Sequence, residues 1–156
     1  MEGKVIRGFG RGSRELGIPT ANLPVDDNST PWLADVKSGV YFGWASLRLP
    51  SSYPNQPPTK SSSSTTTVAT GFSVYPMVHV LHDFEADFYG VEMRVLITGF
   101  IREMGGYAGV DELIEDIKVD CDVARKSLDR EAWALRETGK GMLDGSWLLR
   151  ETAEAE

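Results

Sequence analysis

Cysteine is nearly absent from this chain. Cys121 is the single one in 156 residues, so no disulfide can form within the chain, which suits a reducing compartment. Cys121 falls in a helical pattern and reads as a small buried hydrophobe rather than a nucleophile. No apolar run approaches the roughly 20 residues that a membrane helix needs. Positive charge is also short, with 16 Lys and Arg against 23 Asp and Glu and a net charge of −7. The footprint of a nucleic-acid binder is basic, so we expect neither a nucleic-acid nor a membrane partner. No Lys-Ser or Lys-Thr follows a Gly-x4-Gly spacing, which excludes a Walker loop. The chain has no internal repeats, no exposed heptad and no long apolar edge, so the expected state is a monomer. Its start lacks the apolar core of a secretory signal and the Arg/Ser-rich character of a transit peptide, so the expected location is cytoplasmic.

What is present is an ordinary globular composition, 41% hydrophobic and 25% charged. The length suits one domain over residues 1–156, able to bury about two-thirds of its unfolded surface. The most distinctive stretch runs from Gly3 to Pro24. Lys4 to Arg7 reads as a short strand. Gly8, Gly10 and Gly12 follow, and glycine lets the backbone take positive φ and lets a ligand approach closely. Successive backbone N–H groups in such a turn form a concave anion site, and Arg7, Arg11, Ser13 and Arg14 add donors. Pro19-Thr20-Ala21-Asn22 comes next in place of the helix a Rossmann turn requires. Thr20 and Asn22 are two apart, so on an extended backbone they face one side. They suit a magnesium ion that also holds phosphates and water. The plain alternative is a surface turn with a solvated basic patch.

Several short strands follow. Asp26 to Lys37 reads as a loop with a helical turn. Gly39 to Leu49 alternates, with Val40, Phe42 and Trp44 on one face. Residues 50–67 are rich in Pro, Ser and Thr and read as a flexible insertion. Thr66 to Val74 reads as the returning strand and Met77 to Phe84 as the next, with Val78, Val80, His82 and Phe84 on one face and Met77, His79, Leu81 and Asp83 on the other. On this reading His79 and His82 point apart and do not share a metal. Asp87 to Gly90 forms a turn, and Val91 to Phe100 a strand with Val91, Met93, Val95 and Ile97 facing one way. From Val110 the period is helical, tracing Leu113, Ile114, Ile117, Cys121, Ala124 and Leu128. A second helix is expected over Arg130–Glu137, anchored by Trp133. Residues 139–156 are expected as an irregular tail that packs back through Trp147.

The run from Gly3 to Pro24 resembles the N-terminal signature of the riboflavin kinases of eukaryotic, monofunctional type. Gly39-Val40-Tyr41-Phe42-Gly43-Trp44-Ala45, His79-Val80-Leu81-His82-Asp83-Phe84, Asp87-Phe88-Tyr89-Gly90 and Gly99-Phe100-Ile101-Arg102 recur in the family's order, over roughly residues 3–128. The resemblance implies a mainly β fold, a six-stranded antiparallel Greek-key β-barrel with one main C-terminal helix packed outside. It implies transfer of the γ-phosphoryl of ATP to the 5′-hydroxyl of riboflavin, making FMN. The glycine loop, with Arg7, Gly8, Gly10, Gly12 and Ser13, would wrap the nucleotide phosphates. Thr20 and Asn22 would hold Mg2+, or another divalent cation such as Zn2+ or Mn2+. Residues 103–109, rich in glycine, would form a lid over the flavin, with Arg102 and Tyr107 as contacts; Glu103 stands where the family has a proline. Trp147 is a lesser candidate for the flavin.

One part is missing. The family's general base is a glutamate five residues before the second histidine of His-x-x-His, and that position here is Met77. A thioether cannot take the proton, so the catalytic residue is unknown, with Asp83 a weak substitute. Either the chain lacks residues near Pro76 and Met77, or the substitution is real and the protein is an impaired relative that binds flavin or nucleotide. A β-barrel interaction module without catalysis is the rival from another class.

Overall fold

Strand β3 (Gly39–Leu47) is the spine of the molecule. Its alternation sends Ala45 and Leu47 into one cluster and Phe42 and Trp44 into another on the opposite side. Both faces are therefore covered, and the expected apolar face of Phe42 and Trp44 is only half of what the strand buries. The computed structural model describes residues 1–7, 17–25, 30–55, 64–72, 76–136, 140–141 and 144–149, with the backbone alone for 64–72 and Pro76. Around β3 lie β1 (Glu2–Lys4), β2 (Ala21–Asn22), β4 (Ser64–Phe72), β5 (Pro76–Val80) and β6 (Glu92–Glu103), with helices α1 (Val110–Leu128) and α2 (Ser146–Leu149).

The sheet order is β1-β6-β3-β4-β5-β2, with every pairing antiparallel. The end strands β1 and β2 share no ladder among the described residues. A single bridge connects them, from Ile6 just past β1 to Asn22, whose carbonyl accepts the Ile6 N–H at 2.9 Å. The fold is mainly β with a C-terminal helix outside, and the ladders stop short of drawing the expected closed barrel. The inner cluster gathers Val5, Ala21, Leu23, Ala45, Leu47, Val78, Val80, Met93 and Val95. Val91 and Ile97 pack against it, as their alternation with Met93 and Val95 predicts.

β3 and β6 approach closely at two glycines. A Cβ on Gly43 would meet the Leu96 carbonyl oxygen at 2.1 Å. A Cβ on Gly99 would meet the Phe42 ring at 2.4 Å, and Phe42 lies opposite Gly99 in the register. The ring covers the gap that the glycine leaves, a known device for keeping glycine in a strand. Register shifts between Val40 and Tyr41 and between Phe42 and Gly43 bend the pair. Beside the second shift, the Thr98 hydroxyl donates to the Phe42 carbonyl at 3.0 Å.

Helix α1 spans the residues its periodicity predicts. Asp111 and Glu112 lie in its first turn and Arg125 and Lys126 in its last, matching the helix dipole. Ala124 and Leu128 pack with Phe42, Trp44 and Trp133 on the outer side of the sheet. Asp120 breaks the apolar stripe, being only 5% exposed. Arg102 of β6 answers it with a two-pronged bond, Nε to Oδ1 at 2.9 Å and Nη2 to Oδ2 at 2.7 Å. Cys121 is buried, and that burial pushes its thiol up from the ordinary value, in keeping with a hydrophobe's role.

Several expectations change. The first strand is Glu2–Lys4 rather than Lys4 to Arg7, and β4 begins at Ser64, inside the stretch 50–67 expected as a flexible insertion. The strand expected over Met77–Phe84 ends at Val80, where the His82 N–H turns back to the Val80 carbonyl at 2.8 Å. His82, Phe84 and Asp83 therefore leave the faces their alternation assigned them. The second helix shrinks to a 3-10 turn, Glu131–Trp133. Trp133 is pinned there, its carbonyl accepting the Trp44 Nε1–H at 2.9 Å and its ring edge-on to Phe42. The tail does return to the sheet, and among its described residues Leu148 is the large side chain it buries. Ser46 donates to the Leu148 carbonyl at 2.8 Å, and Arg94 donates to the Trp147 carbonyl at 3.1 Å while lying over its ring. Among the described residues no helix is long and apolar enough to cross a membrane.

Gly43→Ala should force β3 and β6 apart and lower stability by about 1–3 kcal/mol, the usual cost of overpacking, read as a fall in the denaturant midpoint. Asp120→Ala strands the Arg102 guanidinium. Because Arg102 keeps some solvent and Asp116 lies 3.6 Å away, the loss should be about 2 kcal/mol, below the 3–5 kcal/mol of a fully buried pair.

Candidate functional site

The two residues of β2 are held by β5, with Ala21 opposite Val78 and Asn22 opposite Met77. Ala21, Leu23, Val78 and Val80 all enter the core. Alternation then places Thr20, Asn22, Met77 and His79 on the other, outward face. Thr20 and Asn22 flank buried Ala21 on that face, as the sequence spacing predicts. Met77 is 41% exposed beside Asn22. In such a directly opposed pair the Cβ atoms lie about 5 Å apart. His79 is tied to the same stretch, its Nδ1 lying 2.8 Å from the Pro19 carbonyl oxygen.

Of these four residues Thr20 alone also lines a cleft of about 590 Å3. Its walls are Gly17 and Pro19-Thr20-Ala21 on one side and Val80, His82 and residues 84–89 on the other, with Val5 at the base. The second wall is a run of rings. His82 meets Phe84 at 4.7 Å between centroids and Phe84 meets Phe88 at 4.6 Å. Tyr53 reaches Phe84 from outside at 6.1 Å, and its hydroxyl donates to the Ala86 carbonyl. Burial raises the Tyr53 phenol above its ordinary value, which keeps it a donor. Asn55 takes a left-handed φ of 46° that asparagine tolerates. It donates to the Asp83 carbonyl at 2.9 Å and accepts from His82 Nε2 at 3.1 Å. This staple holds the bend after β5. Gly90, with φ of 80°, closes the turn beneath the cleft and donates to the Val5 carbonyl at 2.8 Å.

Charge is divided around the opening. Glu85 and Asp87 line the cleft. Arg7 is exposed and sits over the Tyr89 ring at 5.0 Å. Gly8, Gly10, Gly12 and Ser13, with Arg11 and Arg14, lie outside the described residues. Among the described residues no group of three His, Cys, Asp or Glu side chains is placed to hold a metal ion. Thr20 and Asn22 contribute neutral oxygens, which fit a hard cation only if phosphates and water complete its shell. Asp83 is exposed on the bend, no longer on the face of Met77 and His79.

The two expected flavin contacts lie at the other end of β6. Arg102 is occupied by Asp120, and its Nη1 donates to the Glu103 carbonyl at 3.2 Å. The bond to Asp120 raises the guanidinium further above its ordinary value. Tyr107 lies with its ring centroid 5.9 Å from Arg102 Cζ, and its buried hydroxyl sits beside the Arg102 guanidinium. Trp147 is engaged with Arg94. Sequence reading missed Asp120, whose signal was a carboxylate on an apolar helical stripe. It also missed the Asn55 staple, which no local pattern announces.

Comparisons with known proteins show the family. The family model for flavokinase, described as riboflavin kinase, matches residues 1–128. The chain is 50% identical to a protein named riboflavin kinase from Pyricularia oryzae, with 96% of this chain and 86% of that one covered. It is 45% identical to a riboflavin kinase from Chaetomium globosum, with the same shares covered. Those alignments run over 179 and 201 positions, more than the 156 residues of this chain, so each relative carries stretches with no counterpart here. Among solved structures, riboflavin kinase from Trypanosoma brucei superposes with a TM-score of 0.63 at 28% identity, covering 84% of this chain and 77% of that one. With the family model matching residues 1–128 and relatives 50% and 45% identical over 96% of its length, the chain belongs to the riboflavin kinase family.

Proposed function

We propose that the face carrying Thr20 and Asn22 and the cleft beside it form the ATP site of a kinase that phosphorylates the 5′-hydroxyl of riboflavin. The observation that carries this reading is the register of β2 on β5. It supports this reading by giving Thr20 and Asn22 one outward face, with Thr20 also lining the aromatic-walled cleft. The adenosine part of ATP suits the cleft. Its base can stack on the rings, and Glu85 and Asp87 can accept from ribose hydroxyls or the exocyclic amine. The phosphates would then extend toward Arg7 and the glycine loop with Gly8, Gly10, Gly12 and Ser13, where backbone N–H groups and arginines receive charge. Thr20 and Asn22 would hold a divalent cation, magnesium being the usual partner of nucleotide phosphates, and when bound it neutralises charge on them. We further propose that the single bridge between Ile6 and Asn22 marks the seam of a closed six-stranded barrel, with the whole chain one domain and monomeric.

The flavin is assigned to the side of Tyr107. The buried Tyr107 hydroxyl lies beside the Arg102 guanidinium, which can only donate to its oxygen, and a flavin carbonyl or ring nitrogen would accept the O–H. Arg102, already gripped by Asp120, serves to hold the start of the Glu103–Gly109 loop. Phosphoryl transfer is mostly positioning and charge stabilisation, and these residues supply both. In the step itself the riboflavin hydroxyl oxygen bonds to the γ-phosphorus, the bond to the bridging oxygen breaks, ADP leaves, and the hydroxyl proton must be accepted.

Met77 stands where the family resemblance puts the acceptor. It is outward-facing and opposite Asn22, a fitting place for a carboxylate and an unfitting residue. Transfer then proceeds with water as acceptor, slowly.

Purified protein given riboflavin, ATP and magnesium should yield FMN, separable by chromatography; riboflavin recovered unchanged would refute the activity. Asn22→Ala should lose magnesium-dependent ADP binding while keeping its melting temperature. Met77→Glu should raise the rate of FMN formation by about a hundredfold, the lower end of what a placed general base contributes. An unchanged rate would remove this position from the chemistry.

A further inference from the structure

The outward face of β5 carries one residue whose bond reaches across the sheet to the nucleotide side. His79 lies 60 positions from Pro19 in the chain, yet its Nδ1 is 2.8 Å from the Pro19 carbonyl oxygen. A carbonyl oxygen only accepts, so Nδ1 is the donor, and the ring's tautomer is fixed by this bond. The ladder explains the meeting. Ala21 opposes Val78 and Asn22 opposes Met77, so continuing the register by one residue brings His79 opposite Thr20. That is where β2 has already ended: its two residues make the whole ladder with β5. The ladder with β5 does not extend to Pro19 or Thr20 among the described residues. The His79 side chain takes the place of the next ladder bond.

Pro19 makes this bond matter more. Proline has no N–H to offer a ladder, and its ring fixes φ but leaves ψ open. The orientation of the Pro19 carbonyl sets that ψ and with it the direction of Thr20. We propose that His79 is a positioning residue for the nucleotide site: by holding the Pro19 carbonyl through Nδ1–H, it aims the Thr20 hydroxyl along the face it shares with Asn22. This rests on the reading of Thr20 and Asn22 as the residues that hold the cation and phosphates of ATP. It adds to that reading a residue that acts through Thr20 and touches neither substrate. His82, by contrast, gives its Nε2 bond to the Asn55 carbonyl and belongs to the cleft wall.

The two amide side chains separate this role from any other that His79 could have. Asparagine places its N–H2 where histidine has Nδ1, and glutamine places its own where histidine has Nε2. In the full chain, His79→Ala and His79→Gln should each raise the KM for ATP and the magnesium concentration for half-saturation by about 10–100-fold, the usual effect of losing a group that orients a ligand residue. The KM for riboflavin should stay within a factor of about two, since the flavin is assigned to the far end of β6. His79→Asn should restore both ATP and magnesium dependence to within a few-fold of the parent chain. ADP binding with magnesium, followed by calorimetry beside melting temperature, makes the comparison independent of turnover. His79→Asn as weak as His79→Ala, with both folded, would overturn the proposal, because the working atom would then be Nε2. Unchanged magnesium-dependent ADP binding in His79→Ala would overturn it as well. Asn22→Ala measured alongside tells the two readings apart. If Asn22→Ala loses binding and His79→Ala does not, the site stands and the positioning role falls. If Asn22→Ala binds as the parent does, the site reading itself fails and takes this proposal with it.

Discussion

The pairing of β3 with β6 is the constraint on which the rest of the molecule depends. These two strands run closer than side chains on both would permit, and Gly43 and Gly99 are the concession. The Phe42 ring closes over Gly99, so the gap on the outer side is filled from the neighbouring strand rather than by the residue itself. The same ring, with Trp44, then offers α1 and Trp133 an apolar seat. On the inner side, Ala45 and Leu47 face Met93 and Val95 within one cluster. Helix, core and tail are thus all referred to one pair of strands. Arg102 at the end of β6 and Arg94 near its start extend the arrangement, one gripping Asp120 of α1 and the other the Trp147 carbonyl.

The site lies at the opposite margin of the sheet, where pairing is shortest. β2 has two residues and β1 three, and a ladder that short fixes little by itself. Local side-chain bonds take over: His79 to Pro19, His82 to Asn55, Asn55 to Asp83 and Tyr53 to Ala86. A margin built from such bonds can admit a ligand without disturbing the core. Binding residues sit commonly in loops carried by a rigid scaffold for this reason.

Met77 shows the two levels acting against each other. As a strand residue it is well placed, opposite Asn22 and on the outward side. As chemistry it is inert, since a thioether neither donates nor accepts a proton under ordinary conditions. On the proposed reading, the backbone keeps the site's layout while the side chain withholds one function. In a transfer reaction governed mainly by positioning, that separates binding from rate.

Much of this was legible in the sequence. The signature from Gly3 to Pro24 named the family, alternation gave the inner face of β6, and the 3.6-residue period gave α1 almost to its ends. These features are local, and periodicity reports them because each side chain's direction follows from the backbone repeat alone. The tertiary structure decided the rest. It ended β5 at Val80, because a turn and the Asn55 staple outweigh an alternation that would otherwise continue. It cut the second helix to one turn, because Trp133 had a fixed seat against Phe42 and Trp44. It tied Arg102 to Asp120, 18 residues on, and His79 to Pro19, 60 residues back. No local repeat encodes a partner at such separations; only the folded sheet, by setting which strands are neighbours and in what register, brings those groups within bonding distance.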